Sequence, residues 1–223
     1  MREVVLDTET TGLDPADGHR IIEIGCIELV NHVPTGRDFH RYVNPERPID
    51  ADALVVHGIT DEMLADKPRF AEVVDDLLAF IGDSRLVIHN AEFDLRFLNH
   101  ELKLIGRPPL ACVHEDTLAL ARRRFPGAPA SLDALCRRFG VDLSERDKHG
   151  ALIDCRLLAA VYLELIGGRQ PTLDVVVDLG AAGSTLVLER PHRPPRPHQP
   201  SPEELAAHAA LLRELKEPIW LSA

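Results

Sequence analysis

The chain has 223 residues, 45% hydrophobic and 27% charged, which suits one domain of ordinary size with a real core and leaves room for an appendage. A net charge of −11 argues against strong unaided binding to nucleic acid, because non-specific affinity there comes from many Lys and Arg contacts with phosphates. No apolar run approaches a membrane span, no leader is expected before the first strand, and Cys26, Cys112, Cys136 and Cys155 lack metal-like spacing, so they read as reduced, mostly buried thiols of a cytoplasmic protein.

In chain order, residues 3–8 and 20–30 read as strands joined by a Gly/Asp/Pro turn. A third strand, 39–43, stops where Pro45 and Pro48 forbid continuation. Strands meeting as hairpins predict an antiparallel portion. After short helical pieces, Phe70, Val73, Val74, Leu77 and Ile81 form one stripe at helical spacing, with Gly82 as the stop. A strand at 86–89, a helix at 91–105 ending at Gly106 and a short strand near 112–114 follow. Arg122, Arg123 and Arg124, like Arg137 and Arg138, read as a solvated helix face at least as readily as a binding surface. Ser131 and Gly140 bracket a helix as N-cap and C-terminal stop, and a last core helix spans about 150–166. Strands in a meander, then strand–helix alternation, predict an α/β fold with a mixed sheet and helices on both sides.

Residues 1–168 therefore form the expected domain, and the character changes beyond it. Residues 169–200 read as a flexible linker, with six prolines between Pro191 and Pro202. Residues 201–223 begin with a complete helix start: Ser201 as N-cap, Pro202 at the first helical position and Glu204 at the capping-box position. Leu205, Leu212 and Leu215 give that helix an apolar side, and Trp220, the only tryptophan, lies just past its end.

Four carboxylates and a histidine carry the chemistry. Asp7 and Glu9 end the apolar run Val4-Val5-Leu6; two apart on a strand, both project from one face. Asp94 follows Leu86-Val87-Ile88, and Asp154 opens the last core helix. Acids ending buried segments are costly unless neutralised, and several converging carboxylates are the usual answer for hard divalent cations. Two such cations can clamp the attacking and leaving oxygens of a phosphodiester. His149, five residues before Asp154, would not share a helical face with it and suits the turn before the helix. There it can reach an attacking water without being a ligand, and a histidine titrating near neutrality suits a general base.

Taken together, these pieces resemble the DEDD exonucleases of the histidine-bearing subclass, most nearly the epsilon, or proofreading, subunits of bacterial DNA polymerase III. The resemblance rests on Val5-Leu6-Asp7-Thr8-Glu9-Thr10-Thr11-Gly12, Ile21-Ile22-Glu23-Ile24-Gly25, Val56-His57-Gly58-Ile59, Leu86-Val87-Ile88-His89-Asn90-Ala91 with Asp94, Ser131-Leu132-Asp133-Ala134-Leu135-Cys136, and His149-Gly150-Ala151-Leu152 with Asp154. It covers about residues 3–167 and resumes at Glu203-Glu204-Leu205-Ala206-Ala207-His208. It implies a ribonuclease-H-like exonuclease fold, a five-stranded mixed sheet flanked by helices, and 3′→5′ hydrolysis of single-stranded or frayed DNA ends to nucleoside monophosphates.

The cofactors implied are two divalent cations, Mg²⁺ or Mn²⁺. Asp7 would bridge both, Glu9 and Asp154 would bind the first, Asp94 would support the cluster, and His149 would take the proton from the attacking water. Backbone amides of Thr10, Thr11 and Gly12 would meet the terminal nucleotide, Leu13 would wedge against the last bases, and His57 and Asn90 are further candidate contacts. For His57 a packing role is equally open. The tail would dock on the polymerase catalytic (alpha) subunit through Leu205, Leu212 and Trp220. Gln170 and Leu173 sit in a stretch like the Gln-x-x-Leu signature for the sliding clamp, departing from it with Val175 in place of an aromatic residue. An RNA-trimming or repair exonuclease of the same superfamily, or a non-catalytic assembly module, are the alternatives.

Overall fold

The computed structural model describes residues 1–144, 148–168 and 200–214. The chain divides into two units, Met1–Asp174 and Val175–Ala223. In the first, β1 (Arg2–Thr10), β2 (Ile21–Val30) and β3 (Val33–Tyr42) form an antiparallel meander. Helices α1 (Ala51–His57), α2 (Asp61–Leu64) and α3 (Phe70–Ile81) come next, then β4 (Arg85–Ile88), α4 (Ala91–Leu104), β5 (His114–Asp116), α5 (Thr117–Arg124), α6 (Leu132–Phe139) and α7 (Ala151–Leu165). β4 and β5 join in parallel, completing a five-stranded mixed sheet in the order β3-β2-β1-β4-β5.

Strand periodicity explains why helices cover both faces. Along β1, Val4 and Leu6 point into a core shared with α3 and α4, while Val5 points into one shared with α5, α6 and α7. On β4, Leu86 and Ile88 take the first side and Val87 the second. All five apolar residues of the α3 stripe are buried, and Gly82 ends that helix as expected.

Three local features depart from the sequence expectation. β3 starts at Val33, well before residue 39, because Asn31 and His32 turn the chain tightly with φ of 51° and 67°. The residues added are exposed on an edge strand, so no apolar alternation announces them. β5 lies two residues later than expected and is polar; it forms because β4 offers an edge, pairing Leu86 with His114 and Ile88 with Asp116. α5, of which the sequence suggests only a helix face at Arg122–Arg124, starts where the Asp116 side chain accepts from the amides of Leu118 and Ala119.

In the second unit, α8 (Pro202–Glu214) has the capping box predicted for it: the Ser201 amide donates to Glu204 Oε2 at 2.7 Å, and the Glu204 amide to Ser201 Oγ at 3.2 Å. Gln170, Leu173, Leu215 and Trp220 lie outside the described residues. No described helix is long and apolar enough to cross a membrane.

Candidate active site

The β1–β2 register places the centre. Asp7 stands opposite Gly25, and Glu9 opposite Glu23. A Cβ on Gly25 would lie 2.5 Å from the backbone carbon of Ala151, so only glycine lets the start of α7 descend onto the sheet beside Asp7. Glu23 then fastens that helix start. Its Oε2 accepts from the Ala151 amide at 3.1 Å, one of the first-turn amides that lack a helical partner, and its Oε1 lies 2.6 Å from His40 Nε2. Asp154, in the first turn of α7, is thereby delivered to the carboxylates of β1.

Asp94 arrives from the opposite side, in the first turn of α4, after Asn90 takes a left-handed conformation at the strand–helix junction. Its Oδ1 accepts from the Thr8 amide at 2.9 Å and the Thr8 hydroxyl at 2.7 Å. Both Asp94 and Asp154 thus sit at helix N-termini, where the dipole favours negative charge. That does not offset the crowding. Burial, and then the charges of Asp94, Glu9, Asp154 and Glu23, push the Asp7 carboxyl well above its ordinary range. Burial pushes Asp94 up to about 7 despite the two bonds from Thr8.

His149 lies on the turn before α7, as expected, with Nδ1 3.2 Å from Asp154 Oδ2, and its backbone N–H reaches the Val56 carbonyl at 3.3 Å. Donor atoms of Glu9, His149 and Asp154 all fall within 4.8 Å of one another, a set able to hold one divalent cation. All four acids and His149 line a cavity of about 720 Å³, with Leu13 and Asn90.

A second cavity of about 420 Å³ adjoins it along Thr8, Glu9, Leu13 and Phe93, and reaches Thr10, Gly12 and His57. Leu13 is 80% exposed between the two. His57 is buried; Nδ1 accepts from the Ile59 amide at 3.0 Å, and among the described residues Nε2 meets no hydrogen-bond partner by distance and angle. Burial foremost lowers the His57 pKa, and in the neutral ring the bond accepted at Nδ1 leaves the proton on Nε2. A Cβ on Gly12 would fall 2.2 Å from the His19 ring, so any larger residue there obliges that side chain to move.

Thr11 is a correction. Its amide is already donated to the Arg20 carbonyl at 2.9 Å, its hydroxyl accepts from the Arg20 amide at 3.0 Å, and it lines neither cavity. It braces the loop and has no amide left for a nucleotide. Sequence reasoning also missed Phe93, which lines both cavities, and Arg122, which lines the larger. Phe93 had a signal, its place inside the Asn90–Asp94 motif; Arg122 was hidden within an arginine run.

The comparisons agree with this geometry. The model of the exonuclease family, RNase_T, matches residues 4–162. The chain is 50% identical to a DNA polymerase III subunit epsilon of Rickettsia felis over 222 residues, covering 96% of this chain and 97% of the relative. It is 44% identical to that of Pasteurella multocida over 221 residues, covering 93% and 86%. Among solved structures it resembles exonuclease X in complex with 5′ overhanging duplex DNA, with a TM-score of 0.59, 29% identity, and coverage of 74% of this chain and 90% of that one. The nuclease domain of 3′hExo, a DEDDh family member bound to rAMP, shares the fold at a TM-score of 0.63 and 21% identity, covering 76% and 94%. A family model matched over residues 4–162, with sequence identity sustained along nearly the whole of its relatives, shows that the chain belongs to the exonuclease family and, within it, to the epsilon subunits of DNA polymerase III.

Proposed function

We propose that Asp7, Glu9, Asp94 and Asp154 hold two divalent cations, Mg²⁺ or Mn²⁺, and that His149 accepts the proton of the attacking water as a DNA 3′ end is hydrolysed. The chain is a 3′→5′ proofreading exonuclease, and its superfamily is divalent-metal dependent. The observation that carries the residue assignment is the convergence of all four acids on one cavity, where burial and then their mutual crowding raise the Asp7 pKa, a strain that cations would relieve. Those cations supply Lewis-acid activation of water and stabilise the leaving oxygen. The chain's own part is to hold the acids by helix starts and the Thr8 bonds, and to keep His149 beside Asp154. In the smaller cavity, Thr10, Gly12, Leu13 and His57 receive the terminal nucleotide, with His57 Nε2 as a donor; Asn90 contacts it from the larger one. Strand ends labelled at 3′ or 5′ test the reading. Nucleoside monophosphates should leave the 3′ end, with release abolished by chelator and restored by Mg²⁺ or Mn²⁺; undiminished release in excess chelator refutes it.

Residues 1–168 act as the catalytic domain, 169–200 as a tether, and 201–223 as the segment that docks on the polymerase catalytic subunit, with Leu205, Leu212 and Trp220 as anchors. A short isolated helix is marginal in water, which favours a partner covering it. Gln170 and Leu173 form a sliding-clamp contact, and the protein works in the bacterial cytoplasm. Deleting everything after Gly168 should leave hydrolysis of free single strands nearly unchanged while abolishing co-elution with the polymerase subunit; retained co-elution refutes the docking.

A further inference from the structure

The fold separates three consecutive arginines at the end of α5. Arg123 lies 3.6 Å from Glu115. Arg124 donates to the Leu165 carbonyl and sits over the Phe125 ring, 5.9 Å from its centre. Arg122 instead is exposed on the lining of the 720 Å³ cavity, and among the described residues no carboxylate forms an ion pair with it. Among the described residues, it is the one arginine or lysine lining a cavity that also holds Asp7, Glu9, Asp94, Asp133 and Asp154.

An acidic chamber repels a polyanion. Cations on the four acids reduce that repulsion at the reacting phosphate, yet the rest of the strand still needs a positive group. We propose that Arg122 binds a phosphate of the DNA strand being degraded, making it a substrate-binding residue of the same cavity. The inference rests on the exonuclease reading above. A planar guanidinium presents paired N–H donors matched to two phosphate oxygens, which a lysine ammonium cannot reproduce. Its position in the last turn of a helix also suits a cation, since the carbonyl end of the dipole attracts one.

The test uses the full chain and its Arg122→Gln, Arg122→Lys and Arg123→Gln variants, on a single-stranded oligonucleotide in Mg²⁺ over a range of KCl. A second substrate, the p-nitrophenyl ester of thymidine 5′-monophosphate, carries one phosphate only. Losing one phosphate contact should lower kcat/KM on the oligonucleotide about 10- to 100-fold in Arg122→Gln. The plot of log kcat/KM against log salt should become shallower by about 0.7, a change that a merely structural role does not produce. Arg122→Lys should keep the wild-type slope and recover part of the rate; Arg123→Gln should match the wild type in both. An unchanged ester rate places the contact on a phosphate upstream of the scissile bond, and an equal loss places it on the scissile phosphate; either supports the inference. A wild-type salt slope in Arg122→Gln, or a slope in Arg122→Lys as shallow as in Arg122→Gln, overturns it. Failure of the wild-type chain itself to release nucleotides would instead overturn the exonuclease reading.

Discussion

Two sets of acids in the same domain are treated oppositely. Away from the cavity, each buried glutamate is met by a partner from its own chain. Glu101 accepts two bonds from the Arg20 guanidinium, both at 2.7 Å, and Glu3 has His32 Nδ1 at 2.6 Å and the Tyr162 hydroxyl at 2.9 Å. Glu28 is held by Arg2 and Arg37, and the Arg2 bond foremost draws its carboxyl below the usual range. At the cavity the sign reverses: burial and neighbouring acids push Asp7 and Asp94 upward. A fold that pairs its structural acids and crowds its cavity acids leaves a charge that added cations can satisfy.

The largest effect that can break this comparison is on turnover. Asp7→Asn should lower kcat by on the order of 10³-fold or more, since the displaced carboxylate is proposed to touch both ions. The same substitution should raise the melting temperature of the chelated protein, because it deletes an uncompensated charge. A chelated variant less stable than the chelated wild type would show that Asp7 is structurally paired after all.

Glu101→Gln, an equally conservative change, should do the reverse. Breaking the paired bonds to Arg20, whose side chain is 23% exposed, should cost about 2–3 kcal/mol in denaturant unfolding. Turnover at a temperature where the variant is folded should remain near wild type.

Chelated protein should also show a distinctive pH dependence. Asp94 holds its proton up to about 7 when folded, against 3.8 for an ordinary aspartate in the unfolded chain, so its contribution is most favourable below that unfolded value. It is lost as pH rises through about 7, where the folded state must ionise a buried acid that the unfolded chain ionises freely. Melting curves in chelator should therefore fall over this window, and Mg²⁺ or Mn²⁺ should raise the melting temperature more at its alkaline than at its acid end. Asp94→Asn should flatten the fall; an unaltered profile in that variant would assign it to other groups.

The smallest effect should come from Glu23, which touches the helix start and not the reacting atoms. Glu23→Ala should reduce kcat about tenfold with KM little changed, as a misplacement of Asp154 and His149 of well under 1 Å would do. Glu23→Gln, which keeps an acceptor for the Ala151 amide, should recover most of that loss. Equal kcat in all three proteins would make Glu23 a stability residue only.

How much of this was legible in the sequence followed from local periodicity. The α3 stripe from Phe70 to Ile81 and the caps at Ser131 and Gly140 declare themselves, because a helix must bury one face and satisfy its own ends. The bounds of the polar β5 and the exposed half of β3 are not declared, because what makes those residues strand is a neighbour's backbone and not their own side chains. Asp7, Glu9, Asp94, His149 and Asp154 could be nominated from short contexts of acids after apolar runs. Thr11 misled because an amide beside the acidic strand looks available until its partner, the Arg20 carbonyl, is seen.

By itself, then, the sequence determined the element types, the family likeness and the identity of the charged groups, all of which depend on residues close together in the chain. Only the tertiary structure decided which charges are compensated. Arg20 and Glu101 lie 81 residues apart, Thr8 and Asp94 86, and Glu23 and Ala151 128, and nothing local links the members of any of these pairs. Whether a buried acid is a strut or a ligand depends on what stands within about 3 Å of it, and that distance is set by strand register and by how closely glycine lets a helix approach.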